Sequence, residues 1–458
     1  MDELKTYPVG KLLIRLIIPS LAIVLVSGSY NIIDGIFLGR TLGIVGTSAN
    51  SYTFMIYALV YGFSALISQG ASSLLAIKLG EGSRQTGEQI LAISFVMSII
   101  IAIIQSLLIY FSLDILLAIF GADEIYHPYI KEFCAIFLLG SPFYFVAHTL
   151  LYCIRAQGNV RKVLFINILS FTTNLVLGAI FIARWGMGFT GSALSTVCAN
   201  IAMCIVALRH YTSKKCSITL NKASFVINIA LCKEIITMGF PFFFTNFISI
   251  LLLTGYNRIA FRSANAWGVA ALSIASSIYR YIISLMNAIT NGIQPVIGFN
   301  FGAKLYKRVR LALIYSILIS TAFSTTCFLG VQIFAVSITR LFNSDSIEFI
   351  SYASLALKRV LLSLPLQGVI SVGTNYFQYI GEGKKSTLLV ILRQIVFQIP
   401  LALTLSYYQG INGLWDSYWL SDILVAIIIL SLLLFQVNNM KKFNYPTNQD
   451  ERGTQNGI

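Results

Sequence analysis

Residues 12–38 read LLIRLIIPSLAIVLVSGSYNIIDGIFL, an apolar run whose only charges are Arg15 and Asp34. A helix rises 1.5 Å per residue, so a run of this length can cross the roughly 30 Å of hydrocarbon in a bilayer. It is too long for the apolar region of a cleavable signal peptide and has no small-residue cleavage pattern, so it reads as a membrane span. The carboxylate is costly there: insertion scales put a charge at a helix centre at roughly 2.5 to 3.5 kcal/mol. Intramembrane ionisable residues mark functional positions by default.

The rest of the chain repeats this pattern. Of its 458 residues, 57% are hydrophobic and 11% charged, where a soluble domain carries about 25% charge. Apolar runs recur at 12–38, 50–78, 89–111, 130–155, 162–184, 190–209, 232–260, 268–300, 309–337, 348–380, 387–408 and 412–437. They are helix-length, unlike the ~10-residue alternating strands of a membrane barrel. The expected fold is an all-α integral membrane protein with twelve transmembrane helices in two pseudo-symmetric six-helix bundles.

The net charge of +15 does not point to nucleic acid, because the basic residues fall in alternate loops. One side holds Lys5, Lys11, Lys78, Arg84, Arg161, Lys162, Lys304, Lys307, Arg308, Lys384 and Lys385, and the other few besides Arg40, Lys131 and Arg184. The positive-inside rule then places both termini in the cytoplasm of a multi-pass protein of the cell membrane, with lipids around it. Seven cysteines mostly lie within the apolar runs without Cys-x-x-Cys spacing and read as packing residues.

The halves repeat with a period of about 222 residues. Pro19 matches Pro241, Gly80 matches Gly302, GFTG at 188–191 matches GING at 410–413, Ser195 matches Ser417, and Asn200 matches Asp422. Tyr30-Asn31 also match Tyr256-Asn257 if a four-residue slip is allowed. Six spans per half is an even number, so the repeats are parallel and related by a pseudo-twofold along the membrane normal, with the natural site in the cleft between bundles. The expected division is an N-terminal bundle over 1–210, a cytoplasmic linker over 211–231, a C-terminal bundle over 232–440 and a polar tail over 441–458.

Lipid-facing surfaces are uniformly apolar, so polar residues repeating every three or four positions mark a face turned to a neighbour or to water. Ser20, Ser27, Asn31 and Asp34 form one such face; Ser141, Tyr144, His148, Tyr152 and Arg155 a second; Ser192, Thr196 and Asn200 a third; Ser277, Arg280, Ser284, Asn287 and Asn291 a fourth; Arg359, Ser363, Gln367 and Ser371 a fifth. Many of these Ser, Thr and Asn side chains can be helix-to-helix glue, at about 0.6 kcal/mol per hydrogen bond. Asp34, Arg280, Lys358 and Arg359 lie too deep for easy snorkelling and must pair, face water or change protonation. The expected cavity lining is Tyr30, Ser192, Asn200, Arg280, Asn287, Asn291, Arg359 and Gln367. Burial favours the protonated form of a carboxyl and a nearby cation the ionised form. A carboxylate reached from one side at a time can therefore exchange a proton or Na⁺ for a cargo molecule. The second half lacks an acid at comparable depth on this reading, with Asn257, Arg280 and Arg359 in its spans instead, so coupling is expected in the first half.

Four stretches, IPSLAIVLVSGSYNIIDGIFLGRTLG (18–43), NLVLGAIFIARWGMGFTGSALSTV (174–197), GIQPVIGFNFGAK (292–304) and YFQYIGEGKKSTLLVILRQIVFQIPL (376–401), occur in the order expected of the multidrug and toxic compound extrusion (MATE) family, which the chain resembles over nearly its whole length. The resemblance implies two six-helix lobes around a V-shaped cavity and efflux of organic, often cationic compounds by exchange with H⁺ or Na⁺, with no other cofactor. It maps the coupling site onto Asp34, Asn174 and Thr196, which are also the expected Na⁺ ligands, and Asn31 joins them on the face of Asp34. Many members carry N-x-x-L-D in the fifth span, where this chain has N-L-V-L-G. Gly178 thus replaces a second carboxylate, which leaves Na⁺ a poorer charge balance and favours protons. The rival reading is a flippase for a lipid-linked saccharide or another anionic amphiphile held by Arg280 and Arg359. An enzyme is not expected, since His127, His148 and His210 are scattered and no phosphate loop is present. A monomer is expected.

Overall fold

Every regular element among the described residues is helical. The computed structural model describes residues 2–442 apart from 214, 215, 217, 222, 223, 227 and 343–345, and apart from the side chains of 2, 30–32, 439, 441 and 442. The helices are α1 (Asp2–Thr6), α2 (Val9–Gly80), α3 (Arg84–Phe111), α4 (Leu113–Phe120), α5 (His127–Ala156), α6 (Val160–Gly178), α7 (Gly188–Tyr211), α8 (Ile229–Gly302), α9 (Tyr306–Phe342), α10 (Ile347–Val360), α11 (Leu364–Tyr379), α12 (Gly383–Ile391), α13 (Ile399–Gln409) and α14 (Ile411–Lys442). Wider π turns extend α6 over Ala179–Arg184 and join α12 to α13 over Leu392–Gln398.

Among the described residues, nine helices are long and apolar enough to cross a membrane. Two of them, α2 and α8, hold two spans each, folded back at Gly43 (φ 64°) and Asn265 (φ 51°). One further span is the pair α10 and α11, bent by 40°. The total is the twelve expected. The bend departs from the single helix expected over 348–380: Pro365 opens α11 and has no N–H to continue the ladder.

The folds at Gly43 and Asn265 lie 222 residues apart, and so do Pro19 and Pro241. No slip fits between two pairs at one offset. The expected match of Tyr30-Asn31 with Tyr256-Asn257 is therefore corrected: Tyr256 is the repeat mate of Asp34.

The bundles meet along α2 and α8. A Cβ on Gly80 would collide with the carbonyl of Phe299, and one on Gly302 with that of Ile77, which is the same contact made twice across the pseudo-twofold. Gly70 and Gly239 bring the helices equally close at Ile235 and Leu66. Between these points lies a buried polar seam. Gln69 donates to Asn291 at 3.3 Å and Ser72 to Gln294 at 3.1 Å, each pair 222 residues apart. A residue that touches its own repeat mate sits on the symmetry axis. Gln294 and Gln378 both donate to Ser73, at 2.9 and 3.4 Å. At the end that bears the termini, α1 is strapped to the second bundle: Asn300 and Arg308 donate to the Leu4 carbonyl and Arg308 also to that of Tyr7. The connection after α7 is not free either. Thr219 donates twice to Glu88 of α3, and Cys216 and Ile218 are buried.

Candidate functional site

Asp34 sits in the first span, nine residues before the Gly43 fold, and is 8% exposed. Ser192 of α7 donates to its Oδ2 at 3.2 Å, while Oδ1 is buried with no hydrogen-bond partner. No ion pair to it occurs among the described residues. One turn along α7, Ser195 and Thr196 accept from Asn174 of α6 at 3.4 and 3.3 Å, and Asn174 Oδ1 is likewise buried and unpartnered. Ser195 donates to the Ser192 carbonyl, linking the two groups. The spacing of four on α7 puts Ser192 and Thr196 on one face, and the π turn after Gly178 widens α6 beside them. Such turns inside helices often accompany functional sites. A Cβ on Gly178 would meet the Phe37 ring at 3.5 Å and Ser195 Oγ at 3.8 Å, which is ordinary contact. Asp34, Asn174, Ser192 and Thr196 are thus brought together. Asn31 and Tyr30 fall outside the described side chains.

The other expected cavity residues are scattered. Asn200 is buried on α7 with its Nδ2 unpartnered, Asn291 belongs to the seam, and Asn287 is half-buried with its carbonyl accepting from Thr290. Arg280 is exposed and donates to Ser277 at 3.1 Å. Lys358 and Arg359 lie beside the α10–α11 break, half-buried, with Arg359 3.7 Å from Asp416. They are not stranded in a helix centre.

Gln367 belongs to a network that sequence reasoning missed. Asp422, 2% exposed, accepts from Ser363 at 2.5 Å, Gln367 at 2.6 Å and Arg393 Nε at 2.9 Å. Arg393 also reaches Tyr279, which accepts from Gln367. The expectation that the second half holds no deep acid is corrected. Asp422 lies 11 residues into α14, beyond the reach of the helix N-terminus. The signal was available: Arg393 is the only charge in the run 387–408 and needs a partner on a neighbouring span. The two bundles therefore treat their acids differently: Asp422 accepts from three side chains, one of them an arginine, and Asp34 from one serine.

Arg155 is a second departure. It is 5% exposed at the end of α5, lies 4.2 Å over the Tyr152 ring, and has Nε and Nη1 buried without partners. Burying an ion costs several kcal/mol. A cation–π contact returns about 0.5 to 2 and a helix C-terminus at most about 2 kcal/mol.

The MatE family model matches residues 19–180 and again 235–404, one copy in each bundle. The chain belongs to the MATE family of transporters. It is 23% identical over 435 residues to the multidrug export protein MepA of Staphylococcus aureus, covering 93% of this chain and 94% of that one. Against MepA of Staphylococcus saprophyticus it is 22% identical over 418 residues, covering 89% and 90%. Two solved structures match with a TM-score of 0.89 at 22% identity, covering 96% of this chain and 98% of theirs. One is a MOP superfamily transporter from Pyrococcus furiosus described as having a binding pocket of reversed polarity; the other is a multidrug resistance MATE transporter in an outward-facing conformation. MATE proteins are multi-pass membrane transporters rather than enzymes, and these relatives imply small-molecule substrates. The flippase alternative finds no support among them.

Proposed function

We propose that this MATE transporter exports organic compounds, cationic or amphipathic, in exchange for protons loaded at Asp34. The observation that carries the reading is a buried carboxylate with one oxygen unpartnered and no arginine beside it. Such a group can take up and release a cation as access alternates, whereas a carboxylate locked in an ion pair cannot. Na⁺ would find Asp34, Asn174 and Thr196 as ligands, but Asp34 is the single anion of that set. A hard cation is better served by more than one carboxylate, so the proton is the preferred ion.

On this reading the termini are cytoplasmic, and the seam of α2 and α8 lies at the cytoplasmic end. Rocking of the two bundles about that seam, within a monomer, would supply alternating access. The relatives named for multidrug export agree with a broad cargo range. Asp34→Asn is expected to abolish drug efflux from proteoliposomes carrying a proton gradient while leaving the size-exclusion profile of the purified protein unchanged. Undiminished efflux by a folded Asp34→Asn protein would overturn the proposal.

A further inference from the structure

The N-terminal bundle buries a second uncompensated charge, of opposite sign to Asp34. Arg155 has no ion-pair partner among the described residues, and two of its guanidinium nitrogens lack hydrogen bonds. The Tyr152 ring lies under its guanidinium, and the Tyr152 carbonyl accepts from Ser72, which also bonds Gln294 of the other bundle, so Arg155 stands beside the seam where the bundles meet. A carboxylate such as Asp34 can shed its charge by taking a proton. A guanidinium stays charged in proteins, so its compensation has to come from an anion. Its planar fork of donors suits a carboxylate or a halide, and the Tyr152 ring covers one face.

We propose that Arg155 forms an anion-binding subsite at the terminus-bearing end of the seam, taking a monovalent anion of halide or carboxylate size. The anion is either a free ion or the acidic group of an amphipathic cargo. The site is separate from Asp34, which lies near the opposite end of its span.

The test uses the full-length protein in nanodiscs and follows thermal unfolding by tryptophan fluorescence. In one arm chloride replaces sulfate, a divalent ion outside the proposed class, at constant ionic strength; in the other an aryl carboxylate is compared with its methyl ester. The wild-type midpoint is expected to rise with the anion, partly in Arg155→Lys, not in Arg155→Gln, and fully in Asp34→Asn. A response to chloride identifies a free ion, and a response to the carboxylate but not the ester identifies the cargo. No response in either arm, or an equal response in wild type and Arg155→Gln, overturns the subsite. Should Arg155→Gln fail to fold, anomalous scattering from wild-type crystals soaked in bromide or a brominated carboxylate decides. A peak at the guanidinium edge supports the proposal and its absence from both soaks rejects it. Loss of efflux in Asp34→Asn with the anion response intact would separate the two sites.

Discussion

Asp422 and Arg393 lie 2.8 Å apart at closest approach, inside the second bundle, with Ser363 and Gln367 filling the remaining acceptor sites on the acid. Removing one partner of a buried pair leaves an unpaired ion and typically costs about 3 to 5 kcal/mol, whereas replacing both by apolar groups is often neutral. Arg393→Met is expected to lower the unfolding midpoint in detergent sharply, and Arg393→Met with Asp422→Leu to recover most of the loss. Equal loss in both variants would mean that the polar network, not the charge balance, sets stability there. Gly178 permits a complementary test on the first bundle. A Cβ there meets Phe37 and Ser195 at ordinary distances, so Gly178→Asp is expected to fold. A second carboxylate near Asn174 is expected to make transport sodium-dependent, read as the ratio of efflux in sodium-rich and sodium-free buffer. An unchanged ratio would place the ion elsewhere.

The double-length helices α2 and α8 are folded at positions with positive φ, which glycine adopts freely and asparagine at modest cost. Their far ends meet at Gly80 and Gly302, where backbone touches backbone. Small residues of this kind let membrane helices approach closely. Gly80→Val is expected to hold the two ends apart, seen as a longer distance between spin labels on α2 and α8, and to cut efflux by more than tenfold. An unchanged distance would show that the neighbouring helices absorb the side chain without opening the seam.

At the scale of the whole molecule, the seam is polar rather than greasy, and its bonds are individually weak. Hydrogen bonds between membrane helices average about 0.6 kcal/mol. Gln294→Leu removes its bonds to Ser72 and Ser73, a loss of about 1.2 kcal/mol, which shifts the balance of closed and open seam by about eightfold. Pulsed spin-label distances between the bundles should show that shift. A change below twofold would assign closure to the glycine contacts alone. Weak, replaceable bonds suit the proposed opening of this interface, whereas the Asp422–Arg393 pair lies within a single bundle.

Hydrophobic length and repeat spacing are local properties, and they were enough to determine the helical class, the twelve spans and the 222-residue repeat, because a chain in lipid has to satisfy its backbone within each helix. The clustering of Asp34, Asn174, Ser192 and Thr196 was legible from spacing on α7 together with the family resemblance. Which charge meets which was not. Asp422 and Arg393 are 29 residues apart on different helices, and helix rotation and tilt decide whether two such groups meet. Only the packed bundles distinguished a carboxylate held by three side chains from one held by a single serine, and left Arg155 without an ion-pair partner among the described residues.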